Sequence, residues 1–220
     1  MKTHFLIAAR ACAARATAVF SLFLIGACSS LPQPPQAPQL YDLGPGMVQA
    51  APLAASALPA LALAEIDVPG EAASSRAMLY RLGYADAQQL RAYQQARWSQ
   101  PPAVLLQQRL RERLGAAYSV LDALDRPLQS GGNARPPVLR LSLEEFSQLF
   151  ASPERSSALL RLRATLVQPQ TEGERLLGQR VFVLQQGAPS ADAAGGAQAL
   201  SAATEALAQE LQGWLQSLQK

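Results

Sequence analysis

Val138-Leu139-Arg140-Leu141-Ser142-Leu143-Glu144 sets Leu139, Leu141 and Leu143 against Arg140, Ser142 and Glu144, and the strand signal continues to Leu149. Side chains on a strand point to opposite faces in turn, so this period of two predicts one apolar and one solvated face. Ala158 to Val167 repeats the pattern, with Ala158, Leu160, Leu162, Ala164 and Leu166 against Arg161, Arg163 and Thr165. Thr171-Glu172-Gly173-Glu174 reads as a turn, and Arg175 to Gln186 returns with Val181 and Val183 on one face. Three such strands in succession predict an antiparallel meander covered on one side only.

The cover is found on both flanks. Downstream, Leu200, Ala203, Leu207, Leu211, Trp214 and Leu218 form a helical stripe from Ala197 to Leu218, preceded by Gly195-Gly196. Upstream, Pro101-Pro102 opens a helix whose apolar stripe is Ala103, Leu106, Leu110 and Leu114. Gln107, Arg109, Arg111, Glu112 and Arg113 line much of its remainder, and Gly115 ends it. Between helix and meander lie a short strand, Tyr118 to Leu121, and a Pro/Gly/Asn-rich loop over 125–137. Further upstream, Leu61 to Val68 reads as a strand whose apolar phase shifts at Glu65, which predicts a bulge or burial on both faces. Ala77 to Leu82 is another strand, and Gly83 to Trp98 fits either helix or strand by spacing. Residues 47–59 read as an Ala-rich loop and Tyr41 to Leu43 as a short strand.

The start of the chain has a different character. Lys2, Arg10 and Arg15 precede an apolar run from Ala16 to Ala27, too short to span a bilayer. Ile25-Gly26-Ala27-Cys28 resembles a lipoprotein signal, which implies a diacylated Cys28; an ordinary cleaved signal is the alternative. Four prolines within 29–38 then make an extended tether. Removing residues 1–27 leaves 193 of 220 residues, enough for one well-cored domain. The 19 basic residues lose three with the leader and the 16 acidic lose none, so the mature chain is near neutral. Such a chain makes no case for nucleic acid.

The leader also takes His4 and Cys12, and Lys220 is the only lysine left. A Ser-His-Asp triad, a Cys-His pair, a His/Cys zinc site and a P-loop lysine are thereby excluded, and no catalytic residue, cofactor or metal ligand is expected. A periplasmic enzyme built on carboxylates and tyrosines is the remaining catalytic option. Glu144 and Glu145 are its only adjacent pair within a strand, and neighbours on a regular strand point apart. Arg161 and Arg163 read as a solvated sheet face before a phosphate or carboxylate grip. Tyr93 and Trp98 read as core or hinge aromatics. The terminal helix carries Glu205 and Glu210 with no interior cation, which argues against lying on a membrane.

These residues in this order resemble the ABC-type transport auxiliary lipoprotein family, the PqiC-like lipoproteins of MCE-type lipid transport systems. The matching pieces are the lipobox Cys28, Tyr41-x-Leu43, Ile66-x-Val68-Pro69, Leu79-Tyr80-Arg81 and Tyr93-x4-Trp98 before a Pro-led helix. Leu139-x-Leu141-x-Leu143-x2-Phe146, Arg180-x-Phe182 and the Ala-rich helix near Trp214 complete them. The insert at 47–59 and Ser99-Gln100 depart from the pattern. The resemblance implies a single α/β domain with a mixed, largely antiparallel β-sheet covered by two main amphipathic helices. It assigns 1–27 to a lipoprotein signal peptide, 28–39 to the lipidated cysteine and tether, and 40–220 to the auxiliary domain. It also favours a strand within 88–94. The function implied is a non-catalytic periplasmic accessory, anchored by acyl chains in the outer membrane as Ser29 indicates. Its implied partners are an MCE-domain substrate-binding protein and an ABC permease and ATPase, with a homo-oligomer as an option. The alternative is a lipid-binding carrier lipoprotein.

Overall fold

The computed structural model describes residues 37–46, 58–70, 74–122 and 135–219. The leader, Cys28, most of the tether, residues 47–57 and most of the 125–137 loop lie outside the described residues. In chain order the elements are β1 (Gln39–Tyr41), β2 (Ala60–Leu63), β3 (Ala77–Leu82), β4 (Asp86–Trp98) and α1 (Pro102–Leu114). They are followed by β5 (Ser119–Asp122), β6 (Val138–Ser152), β7 (Arg155–Pro169), β8 (Glu174–Gly187) and α2 (Ala193–Ser217).

The meander organises the rest. β6 pairs antiparallel with β7 along its length, and β7 with β8. Fifteen residues of strand run about 50 Å. That length lets two short strands share the other edge of β6. β2 pairs in parallel at Ala62↔Val138 and Leu63↔Leu139, and β3 in parallel at Tyr80↔Gln148 to Leu82↔Phe150. β5 extends the sheet beyond β2, while β4 and then β1 extend it beyond β3. The sheet is therefore mixed. Its long pairings are antiparallel and its parallel pairings are short.

Both helices cover the same face. Leu106, Leu110 and Leu114 of α1 are fully buried, as are Ala203, Leu207 and Leu211 of α2 and Leu139, Leu160 and Leu162 of the meander. Each such leucine contributes about 1.5–3 kcal/mol by leaving water. Trp98, 0 % exposed, packs on Phe146 at 5.4 Å between ring centroids and belongs to this core, as its sequence context predicted.

Several elements differ from expectation. β1 ends at Tyr41, though Leu43 beyond it is buried. β2 stops at Leu63 and the chain regains β6 at Asp67↔Ser142. Residues 63–67 thus face 139–142, one residue more than their partner, which is the bulge that the phase shift at Glu65 predicted. The strand expected within 88–94 extends over all of Asp86–Trp98. On β8 the buried residues are Phe182 and Leu184, while Val181 and Val183 face solvent, because Phe182 meets Trp214 of α2 edge-on. α2 begins at Ala193, since Asp192 caps it by accepting from the Gly195 N–H at 2.8 Å. Gly195 and Gly196 are thus inside the helix. A Cβ on Gly196 would collide with the Gln148 side chain, so glycine is what lets α2 lie this close to β6.

Candidate functional site

The chain joins the domain at an arginine clamp. β1 lays Tyr41 beside Trp98 in parallel, and the Ser99 N–H donates to the Tyr41 carbonyl at 2.7 Å. Leu43 then enters the core, and its carbonyl accepts from Arg109 Nη2 and from Ser201 Oγ, both at 2.8 Å. Arg109 Nη2 also donates to the Gly44 carbonyl at 2.9 Å. One residue from α1 and one from α2 thus grip the same backbone segment. The chain leaves by Gly46, whose φ of +70° favours glycine and whose Cβ would lie 2.7 Å from Glu112 Oε2.

Arg109 is 8 % exposed, so its charge needs compensation within the protein. Its Nη1 donates to Glu205 Oε1, and Arg113 Nε lies 2.6 Å from Glu205 Oε2. Burial pushes the Glu205 carboxyl upward, but the hydrogen bonds from Arg113 and Arg109 and their charges outweigh it and hold it below its ordinary value. Sequence reading placed Arg109 on the polar side of α1. Its role as the seam between both helices and the incoming chain depends on residues 66 and 96 positions away.

Two clefts flank the clamped segment. One, of about 230 Å³, lies between the segment and α1, among Asp42, Gly46, Ser99, Gln108 and Glu112. The other, of about 530 Å³, lies against α2 and opens beside Leu40, Ala194, Ala197 and Ser201.

A buried polar node sits under the β3–β4 hairpin. The Tyr93 hydroxyl donates to Gln148 Oε1 at 2.9 Å, and Gln148 Nε2 donates to Ser156 Oγ at 2.7 Å. Burial, with Tyr80 and Asp192 nearby, pushes the Tyr93 hydroxyl well above its ordinary value. Tyr93 is thus a fixed donor rather than a proton acceptor. The bulged strand β4 is stapled by arginines, with Arg81 Nη1 donating to the carbonyls of Ala87 and Gln88 at 3.2 Å and Arg97 to those of Tyr93 and Ala96.

On the outer face of the sheet, Arg161 and Arg163 both bond one carboxylate, Glu144, with Nε–oxygen distances of 2.7 and 2.8 Å. The hydrogen bond from Arg163 is the main cause of the lowered Glu144 carboxyl. Glu145 bonds Arg81 at 3.0 and 3.2 Å. The expectation that Glu144 and Glu145 point apart is corrected by a bulge between Leu143 and Glu145. Leu139, Leu141 and Leu143 before it and Phe146 after it are buried toward the helices, and Glu145 pairs with Arg161, so both carboxylates fall on the outer face. Each is engaged by its own arginines and the two form no shared-proton pair. Among the described residues no group of three or more His, Cys, Asp or Glu could hold a metal, and no helix is long and apolar enough to cross a membrane.

The described domain is thus a sheet covered on one face, with a polar outer face and an arginine clamp on residues 43–44. Residues 41–212 match the family described as ABC-type transport auxiliary lipoprotein component, and the chain belongs to that family. Among solved structures, it is similar to a Xanthomonas campestris protein of family DUF330, with 21 % identity, TM-score 0.63, and 82 % of this chain and 95 % of that one covered. A second, uncharacterised protein is similar at 15 % identity and TM-score 0.61, covering 82 % of this chain and 99 % of that one. At these identities the likeness is one of fold. No curated protein matches the chain.

Proposed function

We propose that this protein is a non-catalytic accessory lipoprotein of an MCE/ABC-type lipid transport system, held in the outer membrane by acyl chains on Cys28 and reaching the transporter through its periplasmic domain. The observation that carries this reading is the filled interior. Leu106, Leu110, Leu139, Leu160, Leu207 and Leu211 meet between helices and sheet with no exposure, and the clefts described lie at the surface beside the clamp. A scaffold that works through its surface needs such a core. A lipid carrier needs an apolar cavity there instead. The clamp suits the same role, because it fixes the domain to the segment that follows the tether. Two acyl chains give stable attachment where one is marginal.

Purification of the detergent-solubilised protein from its native membrane, with identification of co-purifying subunits, tests the reading. An MCE-domain protein with its permease or ATPase is the expected result. Recovery of the protein alone with a stoichiometric phospholipid would replace the accessory with the carrier. Cys28→Ser should abolish palmitate labelling while the domain still folds; label retained on that variant would move the acyl site elsewhere.

A further inference from the structure

β8 is hydrogen-bonded on one side only. It pairs with β7 from Ser157↔Gly187 to Pro169↔Glu174 with a single register step, and no described strand lies on its other side. Natural edges are usually short, bulged, or protected by lysine or proline, because a row of free N–H and C=O groups templates another strand. β8 is fourteen residues long and contains neither lysine nor proline. Its outward side chains include Val183, 59 % exposed, and Val181, 37 % exposed. Beyond the bulge, from Gly178 to Gly187, the edge is regular and carries one charged residue, Arg180.

The charge beside it selects what it takes. Arg161 and Arg163 stand directly across from Val183 and Val181, about half exposed, and share the single carboxylate of Glu144. Two guanidinium groups on one carboxylate leave a net positive charge. On the opposite face Arg180 is 49 % exposed and only 3.5 Å from Glu210. A strand added along β8 would stand about 10 Å from β7, a span that an arginine and a glutamate bridge together. We propose that the β8 edge receives an extended segment of a transporter subunit as an added strand, with apolar residues over Val181 and Val183 and carboxylates reaching Arg161 and Arg163. This rests on the accessory reading and names its docking face. Strand addition supplies affinity through main-chain bonds and specificity through alternate side chains. A second copy of this chain fits less well, since β8-to-β8 pairing would set a second Arg161 and Arg163 pair on the same positive face.

The test is in-cell photo-cross-linking of the full chain with a photoreactive phenylalanine at position 181 or 183, the adduct being mapped to the partner peptide. The expected adduct is a transporter-subunit segment with acidic residues at alternating positions, reduced about tenfold by Val181→Lys and Val183→Lys introduced singly, each leaving Tm unchanged. Cross-links to a second copy's β8, or none from either position while transporter subunits still co-purify, overturn the docking face and leave the accessory reading standing. Absence of any co-purifying subunit removes the accessory reading itself, and the strand proposal with it.

Discussion

The guanidinium of Arg109 and the carbonyl of Leu43, 66 residues apart in the chain, are joined by a 2.8 Å hydrogen bond at the seam of both helices. That bond, with the pair between Arg109 and Glu205, makes one side chain answerable for where the chain meets the domain.

Arg109→Ala should destabilise the domain by about 1–3 kcal/mol, because it leaves Glu205 to Arg113 alone, the Leu43 carbonyl to Ser201 alone and the Gly44 carbonyl without its arginine donor. Arg109→Lys should recover only part, since an ammonium cannot reproduce the planar fork. Urea unfolding measures both. Limited proteolysis should show new cleavage within 39–46 in Arg109→Ala; a loss below about 1 kcal/mol with unchanged cleavage would remove the clamp from the account.

Glu205 makes stability depend on acid. Its folded carboxyl titrates below the ordinary value of 4.5, so its contribution is present above that pH and is lost as pH falls through the folded value. Thermal melts of wild type should decline below about pH 4.5 more steeply than those of Glu205→Gln, which starts lower at neutral pH. Parallel pH profiles for the two proteins would show that the group does not couple to folding.

Trp98 is fully buried and its indole Nε1 has no hydrogen-bond partner among the described residues. Trp98→Ala should cost about 3–5 kcal/mol. Trp98→Phe should cost much less than truncation, because it removes an unsatisfied donor while keeping a ring against Phe146. Equal losses in the two variants would mean that the N–H has a partner, such as a bound water.

Two glycines of α2 should respond oppositely to alanine. Gly213 faces open space, so Gly213→Ala should stabilise by about 0.5–1 kcal/mol. Gly196→Ala should destabilise by about 1–3 kcal/mol because its Cβ meets Gln148. A double-mutant cycle with Gln148→Ala should recover part of that loss. Additivity within error would place the strain elsewhere.

Where polar contrast was strong, periodicity carried the fold. Leu139, Leu141 and Leu143 alternate with polar partners and are buried as expected, and the phase shift at Glu65 marks a real extra residue. Contrast failed at Val181-Phe182-Val183-Leu184, where both faces are apolar and α2 decides which is covered. The bulge at Glu144-Glu145 also has an apolar trace, the change from odd to even phase between Leu143 and Phe146, which the rule for a regular strand overlooks. The start of α2 was legible in one signal, the capping Asp192, which the low helix propensity of Gly195-Gly196 outweighed. The clamp was not legible at all. Arg109 looks like Arg111 and Arg113 in sequence, and only the return of Leu43 and Glu205 from distant positions separates them.

The tandem placement of β2 and β3 along β6 imposes an order in time. β2 has no partners until 119–122 and 138–139 exist, and β3, paired locally with β4, joins the meander only through 148–150, whereas every pairing of β7 and β8 is made within the meander. The loops that must close for the early strands are long, and long-range pairings assemble slowly. β2 therefore waits for the second half of the chain, while β1, β3 and β4 can pair among themselves within residues 39–98 before any of the meander exists.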